Sequence, residues 1–252
     1  KPSYTGDFVP KDALIIKVLR SPHAQAHIKS IDTSKAKLIP GVEAIFTYED
    51  VPNTRFTLAG QTYPEPSAYD ALILDSVVRY VGDEVALVVA KDEATALKAM
   101  PLIKVEYEVQ KPVLDLRTAI DHETVVHPED DILNHIPVGQ DYKRNICVSY
   151  HKRVGDIEGE LAKCDYVVEG TYFDQATRQS AMEPFQSFGY IDHLGRIVIV
   201  SSTQIVFHVR RHIARALGIP ASKIRVIKPR IGGGFGSKQT ACTELMTAFV
   251  TW

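Results

Sequence analysis

Cysteine is scarce in this chain, with 3 residues among 252. Cys147, Cys164 and Cys242 are far apart and odd in number, so they lack the spacing of a zinc or iron–sulfur site. A sparse set of thiols is typical of a reducing compartment, and we therefore expect a cytoplasmic protein.

A strong net charge and a long apolar run are also missing. The formal net charge of −2 gives no electrostatic basis for binding nucleic acid or an acidic membrane surface. Charged residues interrupt every apolar run before it reaches the length of a bilayer span. The first residues, Lys1-Pro2-Ser3-Tyr4, lack the apolar segment of a signal peptide. We therefore expect a globular protein that binds neither nucleic acid nor membrane.

What the chain does have is a concentrated run of glycine, Gly232-Gly233-Gly234-Phe235-Gly236. Glycine is a poor residue for a helix or strand interior, but it suits positive φ and the close approach of a ligand. Exposed N–H groups at such a turn bind anions, particularly where a helix begins. The run predicts a cradle for a phosphate or cofactor, with a tight turn lacking any ligand as the alternative. Ser237 is expected to cap a helix that continues through Phe249.

Two familiar phosphate motifs do not fit this run. A Walker loop has glycine directly before its lysine, whereas Lys238 follows Ser237. In the dinucleotide fingerprint G-x-G-x-x-G, Ser237 would replace the last glycine, and no acidic residue stands about twenty positions later. An ordinary nucleotide or nicotinamide site is therefore disfavoured.

The remaining pattern predicts a mixed α/β protein of the α+β class. The predicted strands cover residues 13–19, 27–31, 42–47, 85–90, 103–109, 148–153, 166–173, 187–192, 196–200 and 224–227, and the predicted helices cover 33–39, 93–100, 157–163 and 205–217. The apolar segment 85–90 is expected to be buried on both faces, and 85–109 suggests a βαβ-like crossover or an α+β layer. Between about 111 and 145 the periodicity is lost, which indicates a boundary between domains.

Gln204 is the main polar candidate near the glycine run. It follows one predicted strand and the glycine run follows the next, so both loops share a sheet edge if these strands are parallel neighbours. Its amide offers one acceptor and two donors. The alternative is a residue at a helix start that satisfies local backbone groups.

Other polar residues carry weaker signals. Glu183 lies in an otherwise apolar stretch, so burial could raise its pKa, and a solvated loop acid is the alternative. The charged residues of the helix at 205–217 are expected to form a solvated face; these are Arg210, Arg211, His212 and Arg215. No G-x-S-x-G motif occurs, and nothing indicates a nucleophilic triad.

Seven segments follow one another along the chain in a recognisable order. They are Leu19-Arg20-Ser21-Pro22-His23-Ala24, Ile31-Asp32-Thr33-Ser34-Lys35-Ala36, Pro40-Gly41-Val42, Tyr80-Val81-Gly82-Asp83-Glu84-Val85-Ala86, Met182-Glu183-Pro184, Ser202-Thr203-Gln204 and Gly232-Gly233-Gly234-Phe235-Gly236-Ser237-Lys238. Together they resemble the xanthine dehydrogenase/aldehyde oxidase family of molybdenum hydroxylases. The resemblance implies an α/β hammerhead domain over 1–115, a linker over 116–145, and the start of a molybdenum-cofactor domain over 146–252.

The cofactor implied by the resemblance is a molybdopterin, in bacteria often its cytosine dinucleotide. Gln204 would hydrogen-bond near an oxo ligand of the metal. The glycine run would bring backbone N–H groups to the metal ligands or the pterin, through Gly233, Gly234, Phe235 and Gly236. The position after Lys238 contacts substrate in xanthine-oxidising members and is usually glutamate. Here it is Gln239, which argues against xanthine and resembles the bacterial purine and hypoxanthine hydroxylase branch.

The reaction implied by the resemblance is hydroxylation of an sp2 carbon of a purine, another N-heterocycle or an aldehyde, with water as oxygen source. Electrons would pass to FAD and 2Fe–2S domains or subunits. The family's catalytic base is a glutamate in a later glycine-rich motif, and Glu183 is not expected to replace it. Because the chain stops at Trp252 in an apolar helix, we expect a piece of a longer subunit that is inactive by itself.

Two other functions remain open at this point. The chain could be a non-catalytic scaffold that binds FAD or iron–sulfur partners, which capture of those partners by residues 1 to about 115 would favour. It could also be an unrelated nucleotide-binding enzyme that uses the glycine turn. Tight binding of NAD or ATP would support that reading, and the failed fingerprints count against it.

Overall fold

A computed structural model describes residues 2–58 and 62–252 of the protein. The strands are β1 (Ile15–Arg20), β2 (Ala26–Asp32), β3 (Val42–Phe46), β4 (Val77–Val78), β5 (Glu84–Ala90), β6 (Lys104–Val109), β7 (Ser187–Ile191), β8 (Ile197–Ser201) and β9 (Ile224–Ile227). The α-helices are α1 (Glu93–Ala99), α2 (Ile157–Leu161), α3 (Val206–Leu217) and α4 (Glu244–Thr251). Within the described residues, every helix falls short of the length and apolar character needed to cross a bilayer. The expected mixed, α+β fold class is confirmed.

The strands form three sheets. The first has the order β1-β5-β3 and the second β4-β2-β6, and both are antiparallel. In the third sheet, of order β7-β8-β9, β8 pairs antiparallel with β7 and parallel with β9. Because β5 and β6 lie in different sheets, a βαβ crossover over residues 85–109 is wrong and the α+β alternative is correct. After α1 the chain satisfies its backbone groups by pairing β6 antiparallel with β2 instead.

Strand β5 is the central strand of the first sheet. Its residues from Val85 to Ala90 are at most 2% exposed, as expected for a strand buried on both faces. One face packs Ala86 and Val88 against α1, which Asp92 caps by accepting a hydrogen bond from Thr95 N at 2.7 Å. The opposite face carries Leu87 into the main hydrophobic cluster.

That main cluster joins the N-terminal and C-terminal parts of the chain. Phe56 and Leu87 belong to it together with Ile199 of β8 and Val209 of α3. The rings of Phe46 and Phe249 meet edge to face, with centroids 5.1 Å apart. The two parts therefore share one apolar core, and their relative position is fixed by packing as well as by the connection between them.

The connection over residues 116–145 is irregular, apart from 3-10 turns at Leu116–Thr118 and Tyr142–Arg144. Ion pairs fasten it to the N-terminal part. Arg79 binds Glu129, and Arg55 Nε lies 2.8 Å from Asp131 Oδ1. Burial alone would raise the pKa of Glu129, but His127 and Arg79 lower it to about 2. The segment is therefore held in place as a charged, packed connection.

The strands predicted at 148–153 and 166–173 are wrong. No strand ladder forms on either segment within the described residues, and Tyr166, Tyr172 and Phe173 are at least 90% exposed. Alternating residues favour a strand only where a neighbouring strand pairs with the backbone. The helix between them is confirmed but shorter than predicted, and Asp156 caps it by accepting a hydrogen bond from Gly159 N at 3.1 Å.

The charged residues of α3 are not the solvated face that the pattern indicates. Arg211 Nη2 lies 2.8 Å from Oε1 of the buried Glu65, and the guanidinium of Arg215 lies 4.5 Å from the ring centroid of Tyr69. His212 is 3% exposed. The expectation is wrong because the segment 62–70 folds over this face of the helix and supplies partners for its charges.

The buried His212 predicts a specific dependence of stability on pH. Burial lowers the pKa of His212 to about 4, an effect that the nearby Glu65 carboxylate only partly offsets. The unfolded chain takes up this proton near pH 6.5 and the folded chain does not, so the stabilisation is complete above pH 6.5 and is lost as pH falls toward 4. The loss amounts to about 3 kcal/mol.

Urea unfolding at several pH values measures this effect. In the variant His212→Gln, the decline in unfolding free energy between pH 6.5 and 4 should be smaller than in the wild type by up to about 3 kcal/mol. Equal declines in the two proteins would show that His212 is not the responsible group.

Candidate cofactor site

The third sheet brings two loops to one edge. Strands β7 and β8 form the predicted hairpin around Gly195, and α3 connects β8 to its parallel neighbour β9. Helix α3 ends at Gly218, whose φ of 65° is the left-handed conformation that glycine tolerates best. Parallel neighbours end at the same edge, so the loop after Ser201 and the loop after Ile227 emerge side by side. The predicted juxtaposition is confirmed.

The side chain of Gln204 lies directly against Gly234. A Cβ atom at residue 234 would stand 2.5 Å from Gln204 Oε1 and 2.6 Å from its Cδ, which is closer than real Cβ atoms approach. The backbone N–H of Gln204 also donates to the carbonyl of Lys238 at 2.9 Å. The Gln204 loop and the glycine turn are therefore one unit, and position 234 accepts only glycine without displacing the amide.

One polar atom of this unit has no partner. Gln204 Oε1 is buried, and no group in the described part of the chain hydrogen-bonds to it. An unsatisfied buried acceptor costs about 1–3 kcal/mol, and few are left so in folded proteins. The two ends of an amide have nearly the same shape, so rotation of the group can present either a donor or an acceptor. This is the arrangement of a site that a polar ligand completes.

The backbone of the turn is shaped for close approach. Gly233, Phe235 and Gly236 have φ values of 98°, 49° and 87°. Within the part of the chain that the structure describes, no acceptor takes a hydrogen bond from the amides of residues 233–236. A Cβ atom at Gly236 would meet nothing within 4 Å. Successive N–H groups in such a turn form a concave donor site for an anionic or strongly polar group.

The expected helix cap at Ser237 is wrong. Its hydroxyl donates to the carbonyl of Gly234 at 2.7 Å, and residues Ser237–Gln239 form a 3-10 turn. Thr240 then has extended backbone angles, and α4 begins only at Glu244. A ligand at this turn would therefore meet the turn's own N–H groups, without the dipole of a directly following α-helix. Gln239 is half-buried at the end of this 3-10 turn.

Glu183 is a buried carboxylate tied to the turn. Its Oε2 accepts hydrogen bonds from Lys238 Nζ at 2.9 Å and from Gly232 N at 2.7 Å, and its Oε1 accepts one from Gln186 Nε2 at 2.9 Å. Burial raises the pKa of Glu183. The hydrogen bonds from Gly232, Lys238 and Gln186 lower it by more than burial raises it, so the pKa lies below its usual value. The expected rise is wrong because the carboxylate is buried together with its donors.

Sequence reasoning did not give a role to the side chain of Lys238. That side chain is 2% exposed, and its ammonium group is the charged partner of Glu183. A signal was present, since an acid in an apolar stretch needs a cation if it is buried, and Lys238 closes the glycine run. The sequence alone did not indicate that these two distant residues are in contact.

The donors and acceptors at this edge fit a cofactor that brings its own metal ligands. They are a side-chain amide and backbone N–H groups, which hold a ligand by hydrogen bonds. Among residues 2–58 and 62–252, no group of three or more His, Cys, Asp or Glu side chains could hold a metal ion. The orphaned oxygen of Gln204, the unpaired amides of the turn and the space beside Gly236 agree with such a cofactor.

Comparison with known families defines the class of protein. Residues 1–111 match the aldehyde oxidase and xanthine dehydrogenase a/b hammerhead domain. Residues 138–252 match the molybdopterin cofactor-binding domain, and this second match contains both Gln204 and the glycine turn. The chain thus consists of a hammerhead domain followed by sequence of a molybdopterin cofactor-binding domain.

The chain belongs to the xanthine dehydrogenase/aldehyde oxidase family of molybdenum-binding large subunits. It is 40% identical to the "Probable hypoxanthine oxidase" of Escherichia coli (strain K12), over 100% of this chain and 29% of that protein. It is 36% identical to a xanthine dehydrogenase molybdenum-binding subunit of Escherichia coli O157:H7, over 98% of this chain and 32% of that protein. The chain therefore spans about a third or less of these relatives.

A solved structure shares the same architecture. The quinoline 2-oxidoreductase of Pseudomonas putida 86 superposes with a TM-score of 0.80 at 29% identity, over 99% of this chain and 31% of that one. The agreement extends over both parts of the chain.

Proposed function

We propose that this chain supplies part of the molybdopterin site of an oxidoreductase that hydroxylates an sp2 carbon, with water as oxygen source. The observation that carries the proposal is the single unit formed by the Gln204 amide and the glycine turn, with its unsatisfied polar groups. The names of the relatives support an N-heterocycle or purine as substrate, since they refer to hypoxanthine, xanthine and quinoline. An aldehyde is a second substrate class within the same family.

In this proposal the residues of the unit hold the cofactor by hydrogen bonds. The amide of Gln204 would donate to a polar group of the cofactor, and the N–H groups of residues 233–236 would bind its other polar groups or the pterin. When bound, the molybdopterin supplies two-electron redox chemistry at the substrate carbon. The cytosine dinucleotide form is the one we propose.

Gln239 is the proposed contact to substrate. A neutral amide both donates and accepts hydrogen bonds, so it can pair with the N–H and C=O edge of a purine without a full negative charge. Because the glutamate that the resemblance implies for xanthine-oxidising members is absent at this position, we propose hypoxanthine-like purines ahead of xanthine.

Further components complete the proposed enzyme. The catalytic base would come from the remainder of the subunit, and the electrons would pass to 2Fe–2S and FAD domains or subunits. The chain by itself should therefore show no turnover. A cytoplasmic location is part of this proposal.

The test is the cofactor content of the full-length subunit, purified from cells that make molybdopterin. The wild type should contain molybdenum and pterin in near-stoichiometric amounts, and Gln204→Leu should lower both by about 10- to 100-fold, because an oriented hydrogen-bonding group beside the metal ligands is lost. Gln175→Leu, at an exposed position, is the matched control and should load normally. A wild type without pterin that still binds FAD and iron–sulfur partners would support the scaffold function instead.

A further inference from the structure

The ion pair between Glu183 and Lys238 is almost completely buried. Their side chains are 8% and 2% exposed, whereas surface pairs such as Lys17 and Glu93 are 35% and 63% exposed. Burying two charges removes their hydration, and the attraction between them offsets that loss only when the geometry is good and the other polar groups are satisfied. A buried pair is therefore weak grounds for stability alone, and its location becomes the informative feature.

The pair connects the three segments that build the candidate cofactor site. Glu183 exchanges hydrogen bonds with Gly232 in both directions: its N–H donates to the Gly232 carbonyl at 3.1 Å, and its Oε2 accepts from the Gly232 N–H at 2.7 Å. Lys238 binds the same oxygen through its side chain at 2.9 Å. Its carbonyl accepts the N–H of Gln204, also at 2.9 Å. The two ends of the glycine turn and the Gln204 loop are therefore fastened to one carboxylate and its lysine.

The same segments are also closely packed against one another. A Cβ atom at Gly232 would stand 2.7 Å from Glu183 Cβ, as one at Gly234 would overlap the Gln204 amide. The two glycines thus lie in contact with Glu183 on one side of the turn and with Gln204 on the other. A side chain at either position would therefore displace its neighbour.

We propose that Glu183 and Lys238 are positioning residues, whose buried pair holds the glycine turn and the Gln204 loop in their binding arrangement before any cofactor arrives. We call this pair with its bonds to Gly232 and Gln204 the clasp. The N–H groups of the glycine turn and the amide of Gln204 are then ordered before binding, so binding does not have to order them. That the ligand is molybdopterin rests on the proposed function, whereas the ordering of the turn by the clasp does not.

Hydrogen exchange in the full-length subunit, purified without molybdenum cofactor, tests the ordering. Lys238→Met removes the cation and keeps the length of the side chain. The variant removes the charged hydrogen bond from Lys238 Nζ to Glu183 Oε2, so the carboxylate that accepts the Gly232 N–H is no longer held in place. We expect the amides of Gly232 and Gln204 to exchange about tenfold faster or more, while amides of β5 keep their rates. Glu183→Gln is a milder variant that keeps the shape of the side chain, and it should show the same localised effect to a smaller degree.

The matched control is Glu65→Gln, which breaks a different buried ion pair. Glu65 binds Tyr69 and Arg211, and its side chain is 1% exposed. This variant should leave the exchange of the Gly232 and Gln204 amides at the wild-type rate relative to β5. If Lys238→Met speeds exchange of the β5 amides as much as that of the Gly232 and Gln204 amides, or leaves the turn unchanged, the clasp has no positioning role.

The second measurement is the cofactor content of the full-length subunit purified from cells that make molybdopterin. Lys238→Met should hold about tenfold less molybdenum and pterin, and the double variant Glu183→Gln/Lys238→Met should recover part of it, since no buried carboxylate is left without a cation. Equal content in the wild type and Lys238→Met would overturn the positioning role. A wild type that holds no pterin would contradict the proposed function, and the exchange rates would still decide whether the clasp orders the turn.

Discussion

Replacing Gly234 with alanine is expected to lower the molybdenum and pterin content of the full-length subunit by about 10- to 100-fold. The new Cβ would stand 2.5 Å from Gln204 Oε1 and 2.6 Å from its Cδ, so the amide must leave its position. These atoms belong to the end of a flexible side chain, which can rotate away without disturbing the backbone. The variant should therefore fold, and the loss should fall on cofactor binding.

A matched substitution separates this effect from the general cost of replacing a turn glycine. Gly195→Ala changes a glycine with a φ of 68° in the β7–β8 turn, where a Cβ atom meets nothing within 4 Å. That variant should lose about 1 kcal/mol of stability through backbone strain and load cofactor normally. Normal loading of Gly234→Ala would show that the position of the Gln204 amide does not matter for binding.

Replacing Leu87 with alanine is expected to destabilise the whole chain by about 2–5 kcal/mol. Leu87 is fully buried on the face of β5 that packs into the main cluster, beside residues of β8 and α3. The truncation leaves a cavity between the N-terminal and C-terminal parts, so both parts lose contacts at once. Leu97→Ala on α1, where the side chain is 50% exposed, is the matched control and should change stability by less than about 1 kcal/mol.

Chemical denaturation with two probes measures this prediction. The fluorescence of Trp252, which is the single tryptophan, reports on the end of α4, and far-ultraviolet circular dichroism reports on all helices and strands. The two transitions should coincide in the wild type and move together in Leu87→Ala. A shift confined to one probe would show that the two parts unfold independently and do not share a core.

Local pattern predicted the elements whose partners are close in sequence. The apolar segment 85–90 is β5, and the periodic residues before Gly218 are α3. The order of β8, α3 and β9 also placed Gln204 beside the glycine turn, because a parallel pair joined by one helix leaves few other arrangements. The strands predicted at 148–153 and 166–173 are wrong because an alternating pattern alone does not supply a strand to pair with.

The contacts that sequence could not provide are those between distant residues. Glu183 and Lys238 are 55 positions apart, and Glu65 and Arg211 are 146 apart. An acid in an apolar stretch needs a cation if it is buried, yet the sequence does not identify which cation pairs with it. The same limit explains why the charges of α3 were assigned to solvent and why the pKa of Glu183 was expected to rise.

Anomalous diffraction at the molybdenum edge, from crystals of the full-length subunit loaded with its cofactor, tests the central claim most directly. We expect a single strong molybdenum peak at the edge where β8 and β9 end, beside the Gln204 amide and the N–H groups of residues 233–236. A peak elsewhere in the subunit, with the Gln204 loop and the glycine turn still packed against each other, would contradict it.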